Sequence, residues 1–193
     1  DRKYNIPPLS PLLIKELDVS EGTGLTLKMK DVKVFGLLGA SVEKLNIDFD
    51  KQRIDGQLRF PVLSIVGECD AAGRILVLPI TAHGNINITL VNTTLPADLD
   101  YSVRPIGSTK HAVVTDIRAT ARPTHVHIRF TKLRNDDTLL ETSLNEFLNS
   151  NSQELFDLMA PSITKSLAKV LGGVFNGIAA VVPFDEVFPE TLP

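Results

Sequence analysis

The feature that most limits the fold is a stripe of apolar residues at helical spacing between about residues 139 and 182. Leu140, Leu144, Phe147, Leu148, Leu155, Leu158, Met159, Ile163, Leu167, Val170, Leu171, Val174, Phe175 and Ile178 recur at intervals of three and four, which gathers them on one side of a helix. Roughly forty residues at a rise of about 1.5 Å each make a rod of about 60 Å if unbroken. Such a rod needs an equally long apolar surface to lie against. Asn149, Ser150, Asn151 and Ser152 compete for backbone hydrogen bonds and Pro161 removes one, so a break or kink is expected at one of these places. Packed core and cavity wall share this signature, and the stripe reads as either.

Ahead of the stripe the pattern has period two. Leu25, Leu27 and Met29 alternate with Thr26, Lys28 and Lys30, and Val32 and Val34 resume in the opposite phase, as a β-bulge would produce. Leu45, Ile47 and Phe49, then Ile54, Leu58 and Phe60, predict a hairpin about the polar turn Asp50-Lys51-Gln52-Arg53. Residues 63–69 and 74–80 predict two strands joined by Ala71-Ala72-Gly73, with Pro79 at an edge or bulge. Ile86, Ile88 and Leu90 share one face, after which the apolar phase moves to Val91, Leu95, Leu99 and Tyr101, placing a second bulge near Leu90 or Val91. A final pair of strands is expected over 113–121 and 126–130, turning near Arg122-Pro123-Thr124. Repeated bulges bend a sheet. The expected class is α+β, a strongly curved antiparallel β-sheet wrapped around a long C-terminal helix, with residues 1–193 forming one domain and an apolar tunnel running inside it.

Charge and composition exclude several functions. Lys and Arg number 20 against 23 acids, with no basic cluster, so the chain is not built to read a phosphate backbone, and no nucleic-acid partner is expected. The helical run carries Glu154, Asp157, Lys165 and Lys169 on its other face and contains no membrane span. The sequence begins at Asp1 without a signal peptide, as a mature secreted form would. Cys69 is the one cysteine and cannot form an internal disulfide, whereas the sequons Asn87-Ile88-Thr89 and Asn92-Thr93-Thr94 point outside the cell. With the second bulge in place both Asn87 and Asn92 face outward, either glycosylated or simply solvated.

Catalytic groups are sparse. His125 and His127 lie on one side of a strand, but Arg129 shares that face and repels a cation, and no carboxylate or thiol completes a metal site. His83 and His111 lie near turns, where solvation is expected. There is no nucleophile elbow and no phosphate-binding glycine loop, and Cys69 follows an acid, which gives no reason for a lowered thiol pKa. Neither an enzyme nor a catalytic cofactor is indicated. Gly172, Gly173 and Gly177 interrupt the helical stripe at a cost of roughly 1 kcal/mol each relative to alanine. They either end the helix, at Gly172, or make room for a ligand or a strand.

Particular strings then carry a resemblance. Asn5-Ile6-Pro7-Pro8-Leu9-Ser10-Pro11-Leu12, Val32-Lys33-Val34-Phe35-Gly36-Leu37, Gly73-Arg74-Ile75-Leu76-Val77-Leu78-Pro79-Ile80 and Gly84-Asn85-Ile86-Asn87-Ile88-Thr89-Leu90 resemble the insect takeout and juvenile-hormone-binding protein family. Leu144-Asn145-Glu146-Phe147-Leu148-Asn149 and Val182-Pro183-Phe184-Asp185-Glu186-Val187-Phe188 continue the likeness in the same order, closer to takeout than to the hormone-binding branch. The resemblance implies a secreted, extracellular carrier in haemolymph or a similar fluid, with a tubular lipid-binding fold and no enzymatic activity. It further implies an apolar ligand such as juvenile hormone, a fatty acid, a quinone, an isoprenoid or a carotenoid. Family members usually begin with a further segment bearing a cysteine pair and a short helix, which this sequence lacks, and Cys69 stands where an aromatic residue, typically Tyr, is expected.

The functional expectation is a monomeric carrier, with a packed-core signalling or storage protein and a lipid-modifying enzyme as the alternatives. A small hydrophobic ligand is its partner, and an unidentified receptor is a further one. The tunnel lining is assigned to Leu45, Ile47, Phe49, Leu58, Phe60, Ile65, Leu76, Ile88, Val113 or its neighbour Val114, Ile128 and Phe130 on the sheet. On the helix it is assigned to Leu148, Leu158, Met159, Ile163, Leu167, Val170, Val174 and Ile178.

Overall fold

A computed structural model of the chain describes residues 6–19, 24–75, 78–132 and 138–189. Seven strands form one antiparallel sheet: β1 (Leu12–Asp18), β2 (Leu25–Phe35), β3 (Ser41–Asp48), β4 (Arg53–Ile75), β5 (Leu78–Ile106), β6 (Thr109–Ala119) and β7 (His125–Thr131). The helices α1 (Thr138–Ser150), α2 (Ser152–Ala179) and the single turn α3 (Phe184–Val187) follow.

The sheet is organised by two long strands. β4 has 23 residues and β5 has 29, and they pair from Arg53↔Asp100 to Ile75↔Leu78. The other edge of β4 takes β3 along its first part and β2 along its second, with β1 outside β2. The other edge of β5 takes β7 along residues 85–91 and β6 along residues 97–106. Four irregularities curl this sheet. One lies between Lys30 and Lys33, where Asp31 has φ 48°. Others fall between Val42 and Lys44, at Asn92 with φ 50°, and between Asp100 and Tyr101. Three of them shift the strand register by a residue, whereas at Asn92 the β4–β5 register continues unchanged and the buried face of β5 passes from even-numbered to odd-numbered residues; such irregularities raise local twist and bend a sheet. The bulge at Asp31 is the one the first phase slip predicts, and the second slip falls at Asn92, where the buried face changes without a shift in register.

Two expectations are corrected. Ala71-Ala72-Gly73 is not a turn, because β4 runs straight through it. Both edges of that segment are paired, to residues 25–27 and to residues 80–82, so small residues are held without a side-chain anchor. The strands near 113–121 and 126–130 do not pair with each other. Both pair with β5, because the chain bends at Asn92 and the Thr94↔Arg122 bridge carries it round the corner. The N-terminal segment supplies a seventh strand, β1, whose Leu12 and Leu17 are 2% and 3% exposed.

The expected break in the helical run falls at Asn151, which separates α1 from α2 and whose side chain donates to Phe147 O at 2.8 Å. Pro161 lies inside α2 without ending it, and α2 also passes through Gly172 and Gly173 to Ala179. Its buried residues are Leu155, Phe156, Met159, Ser162, Ile163, Thr164 and Ala168, all in its first two-thirds. Leu155, Phe156, Met159 and Ile163 among them belong to one apolar core with Val32, Ile65, Ile86, Ile88 and Ile128. Beyond Ala168 the helix is only half covered. No helix among the described residues is long and apolar enough to cross a membrane.

Edge strands are held by helix side chains. Asn145 on α1 accepts from Phe130 N at 2.7 Å and donates to Phe130 O at 2.8 Å, while Asn149 does the same for Ile128 at 3.1 and 2.7 Å. Four residues apart, the two amides lie on one face of the helix and match alternate residues of β7.

Candidate functional site

Where α2 loses its covering, the sheet and the C-terminal turn enclose an apolar cavity of about 150 Å³. Ile54 comes from β4, Leu99 and Tyr101 from β5, and Ala112 and Val114 from β6. The other wall is Phe175, Ile178 and Ala179 of α2, Val182 after it, and Phe184, Val187 and Phe188 in and beside α3. Strand alternation explains the sheet side. Leu99 and Tyr101 follow the irregularity at Asn92, which turns odd-numbered residues of β5 inward, and the shift between Asp100 and Tyr101 brings Val114 opposite Tyr101.

Aromatic rings mark a path from the cavity to the surface. Tyr101 and Phe184 have ring centroids 6.0 Å apart, Phe184 and Phe188 5.1 Å, and Phe188 and Phe49 5.4 Å in an edge-on arrangement. Tyr101 is 5% exposed and Phe49 54%, so the row leads outward. Contacts of this kind contribute about 0.5–1.5 kcal/mol each beyond area burial.

Two polar ties fix the helix end beside the cavity. Asn176 Oδ1 accepts from Val114 N at 2.8 Å, and His111 Nδ1 donates to Ala179 O at 2.6 Å while its Nε2 lies 2.8 Å from Thr109 Oγ1. His111 is 5% exposed, which corrects the expectation that it is solvated; the helix end covers it. One polar atom of the lining has no partner. The Tyr101 hydroxyl is buried with no hydrogen bond among the described residues. Burial first, and the Asp48 carboxylate second, push this phenol above its ordinary pKa, so it remains a donor.

Wider hollows of about 590 and 340 Å³ lie along the outer seam between β6 and α2. Arg118, Arg122, Asp157, Lys165 and Lys169 stand in their walls, and an apolar ligand there would have to strip water from those charges. Gly172 and Gly173 belong to this seam: a methyl at Gly172 would meet the Ile117 side chain at 3.4 Å, and one at Gly173 would meet nothing within 4 Å. These glycines therefore face the outer seam and do not thin the wall of the 150 Å³ cavity.

The residues assigned to the lining from sequence are distributed as follows. Ile178 borders the cavity, and Val114, the neighbour of Val113, borders it while Val113 pairs with Ser102 on the other face. Phe60, Ile65, Ile88, Ile128, Phe130, Leu148, Met159 and Ile163 are buried in the packed core. Leu58, Leu167 and Val170 pack against that core half-buried, and Ile47 and Val174 are also half-buried. Leu45, Phe49 and Leu158 are exposed at 63%, 54% and 43%, so they do not line an enclosed space. Leu76 lies outside the described residues. Sequence reasoning missed Leu99, Tyr101 and Ala112 as lining, although the inward phase of Leu99 and Tyr101 was readable. It also missed the aromatic C-terminal turn, whose three-residue spacing in a short helix gives no periodicity to find.

Chemistry beyond binding has little to work with. His125 and His127 are exposed on β7 beside exposed Arg129, and no group of three or more metal-ligating side chains occurs among the described residues. Exposed His83 pairs with Asp70. Cys69 is 1% exposed, and burial pushes its thiol up to about 12.

Comparison with known proteins agrees with this geometry. The family described as haemolymph juvenile hormone binding protein matches residues 1–189. The circadian clock-controlled protein daywake of Drosophila melanogaster is 26% identical over 189 residues, covering 94% of this chain and 72% of that protein. Daywake of Drosophila yakuba is 24% identical over 176 residues, covering 88% and 67%. The crystal structure of Takeout 1 from Epiphyas postvittana superposes with a TM-score of 0.89 at 22% identity, over 96% of this chain and 86% of that one.

Proposed function

Because the chain belongs to the haemolymph juvenile hormone binding protein family, a family of hydrophobic-ligand binders and not of enzymes, we propose that it is a secreted, monomeric carrier of one long apolar ligand. The observation that carries this reading is the cavity at the open end of α2, bordered by aliphatic and aromatic side chains. Its volume of about 150 Å³ accommodates one end of a long molecule. The remaining length would follow the half-covered side of α2 past Val174, Val170 and Leu167, and take up half-buried Ile47 and Leu58 on the sheet. Those residues, and the core residues beyond them, are the ones we assign to a tunnel that the ligand opens.

Burial supplies the driving force, about 25 cal/mol per Å² of apolar surface before ordering costs are subtracted. A flexible isoprenoid, quinone, fatty acid or polyene such as a carotenoid suits walls of this kind, selected by length and shape more than by polar contacts. We assign glycans to Asn87 and Asn92. Both stand on the outer face of the sheet, and their oxygens are engaged, Asn87 by Ser64 at 3.0 Å and Asn92 by Arg59 at 2.6 and 2.8 Å. That leaves each amide nitrogen for the sugar. Haemolymph or a comparable extracellular fluid is the proposed location.

The test is extraction of the purified protein with organic solvent, followed by mass spectrometry, an absorption spectrum and uptake of a lipophilic fluorescent dye. An apolar compound in the extract, or saturable dye uptake, is the expected result. A protein that yields no extract and takes up no dye is a packed-core protein and not a carrier.

A further inference from the structure

We propose that the outer edge of β6 is a docking site for an extended acidic peptide of a partner protein, which adds to the sheet as a further strand along the seam beside α2. The surface lies outside the apolar cavity, and the inference is independent of what that cavity holds. β6 ends the sheet, with β5 as its one strand partner among the described residues. Thr120 N donates to Pro96 O at 3.1 Å, and Arg122 and Thr94 exchange two backbone bonds at 2.8 and 3.0 Å. Backbone groups alternate in direction along a strand, so Ile117, Ala119 and Ala121 turn their N–H and C=O groups away from β5. Upstream of the register shift at Asp100 the phase reverses, and there the outward Val114 N is capped by Asn176 at 2.8 Å. No group among the described residues caps Ile117, Ala119 and Ala121 in the same way. An uncapped edge is a template for another strand.

The seam over this edge has the room and the charge for such a segment. Residues 117–123 form one wall of its hollow of about 590 Å³ without a gap, as an uncovered strand edge does, and one face of α2 forms the other. The helix presents small groups there, among them Ala160, Pro161 and Ala168. An added strand lies about 4.8 Å from its neighbour, and its side chains alternate between the two faces of the sheet. Those level with Ala119 and Ala121 share the inner face and should be small and apolar. Those on the outer face stand beside exposed Arg118 and Arg122, while Lys165 and Lys169 stand in the helix wall. The carboxylates of the seam are Asp116, already paired with Arg118, and Asp157, so cations are in excess. Neither Arg122 nor Lys169 has an ion pair among the described residues. The occupant that fits alternates acidic and apolar residues, its backbone supplying affinity and its side chains selectivity. A second copy of the chain would bring the same cations against the seam, which repulsion opposes.

The experiment titrates the full chain into a fluorescently labelled, end-capped heptapeptide of alternating glutamate and valine, followed by polarisation. Saturable binding is expected, weaker by about tenfold or more when lysine replaces glutamate or in the variant Arg122→Glu. Ala119→Pro removes an outward donor and no bond to β5, so it should abolish peptide binding while dye uptake by the cavity is unchanged. Amide hydrogen exchange of wild type, read by NMR, should slow at Ile117, Ala119 and Ala121 when peptide is added and stay as it was at Val114, whose N–H is already engaged. That measurement decides the matter even where Ala119→Pro does not fold. No binding, equal binding of the lysine peptide, wild-type affinity in a folded Ala119→Pro, or unprotected amides at the three residues would overturn the proposal. So would protection of the same amides that grows with protein concentration in the absence of peptide, since the occupant would then be a second copy. Each of these outcomes leaves the carrier function standing.

Discussion

Asn145 satisfies both free backbone groups of Phe130, its side-chain amide accepting from the N–H at 2.7 Å and donating to the carbonyl at 2.8 Å. Phe130 lies on β7, whose one strand partner among the described residues is β5, so this edge of the sheet would otherwise present open hydrogen-bonding groups. A primary amide carries one donor face and one acceptor face, the same complement as a peptide unit. α1 therefore stands in for the missing strand, and it docks without any β pairing of its own.

Replacing Asn145 with Ala should destabilise the protein by about 1–3 kcal/mol, since two buried backbone groups lose their partners at once. Asn145→Asp keeps the acceptor, loses the donor and places a carboxylate beside a carbonyl, so it should be no better. Urea denaturation followed by circular dichroism measures both. Midpoints equal to wild type would mean that the pairing is immaterial to stability.

Two glycines should respond in opposite directions to alanine. Gly36 has φ 92°, and a methyl there would fall 2.0 Å from the Val62 carbonyl oxygen, so Gly36→Ala should cost upward of about 2 kcal/mol. Gly173 is in mid-helix with open space around it, and Gly173→Ala should add about 0.5–1 kcal/mol. Because Gly173 borders the seam, dye affinity should not change; reduced affinity would place it beside the ligand after all.

Cys69 should be inert in the folded protein. With its thiol at about 12 against an ordinary 9.0, the thiolate fraction at pH 8 is lower by about a thousandfold, and burial blocks access besides. Alkylation monitored by mass spectrometry should label it only after denaturant is added. Prompt labelling under native conditions would show that the core around β4 opens.

Acid should weaken the hollow end of the sheet. Gln57 and then Arg59 hold Glu43 below its ordinary value, Lys51 does so for Asp48, and Arg53 for Asp55. Depressed carboxylates contribute stability that is complete above their unfolded values, 4.5 for Glu and 3.8 for Asp, and that is lost as the pH falls through the folded ones. These groups are exposed, so the effect is modest and should shrink in salt. Urea midpoints should fall on going from pH 6 to pH 3, less steeply at high ionic strength. A midpoint that rises in acid contradicts the sign.

Much of the architecture could be read from period alone. The slip after Met29 located a bulge, the slip after Leu90 located the change of buried face at Asn92, and the polar group after Phe49 located the β3–β4 hairpin, because alternation reports which face is buried. Alternation does not report which strand lies alongside. That is why residues 113–121 and 126–130 read as a hairpin when each pairs with a different part of β5. For the candidate site, Ile178 and Val114 border the cavity, whereas Phe60, Ile88 and Met159, which carry the same pattern, lie in the buried core. Whether space remains between two apolar surfaces depends on how far the sheet curls away from the helix, a property of the bulges and not of any single side chain.

The point at which α2 passes from buried to half-covered, just beyond Ala168, divides the work along the chain. Substitutions before it disturb the packing on which folding depends, whereas substitutions after it mainly reshape the hollow. A designer can therefore reshape the hollow there without having to re-establish the fold.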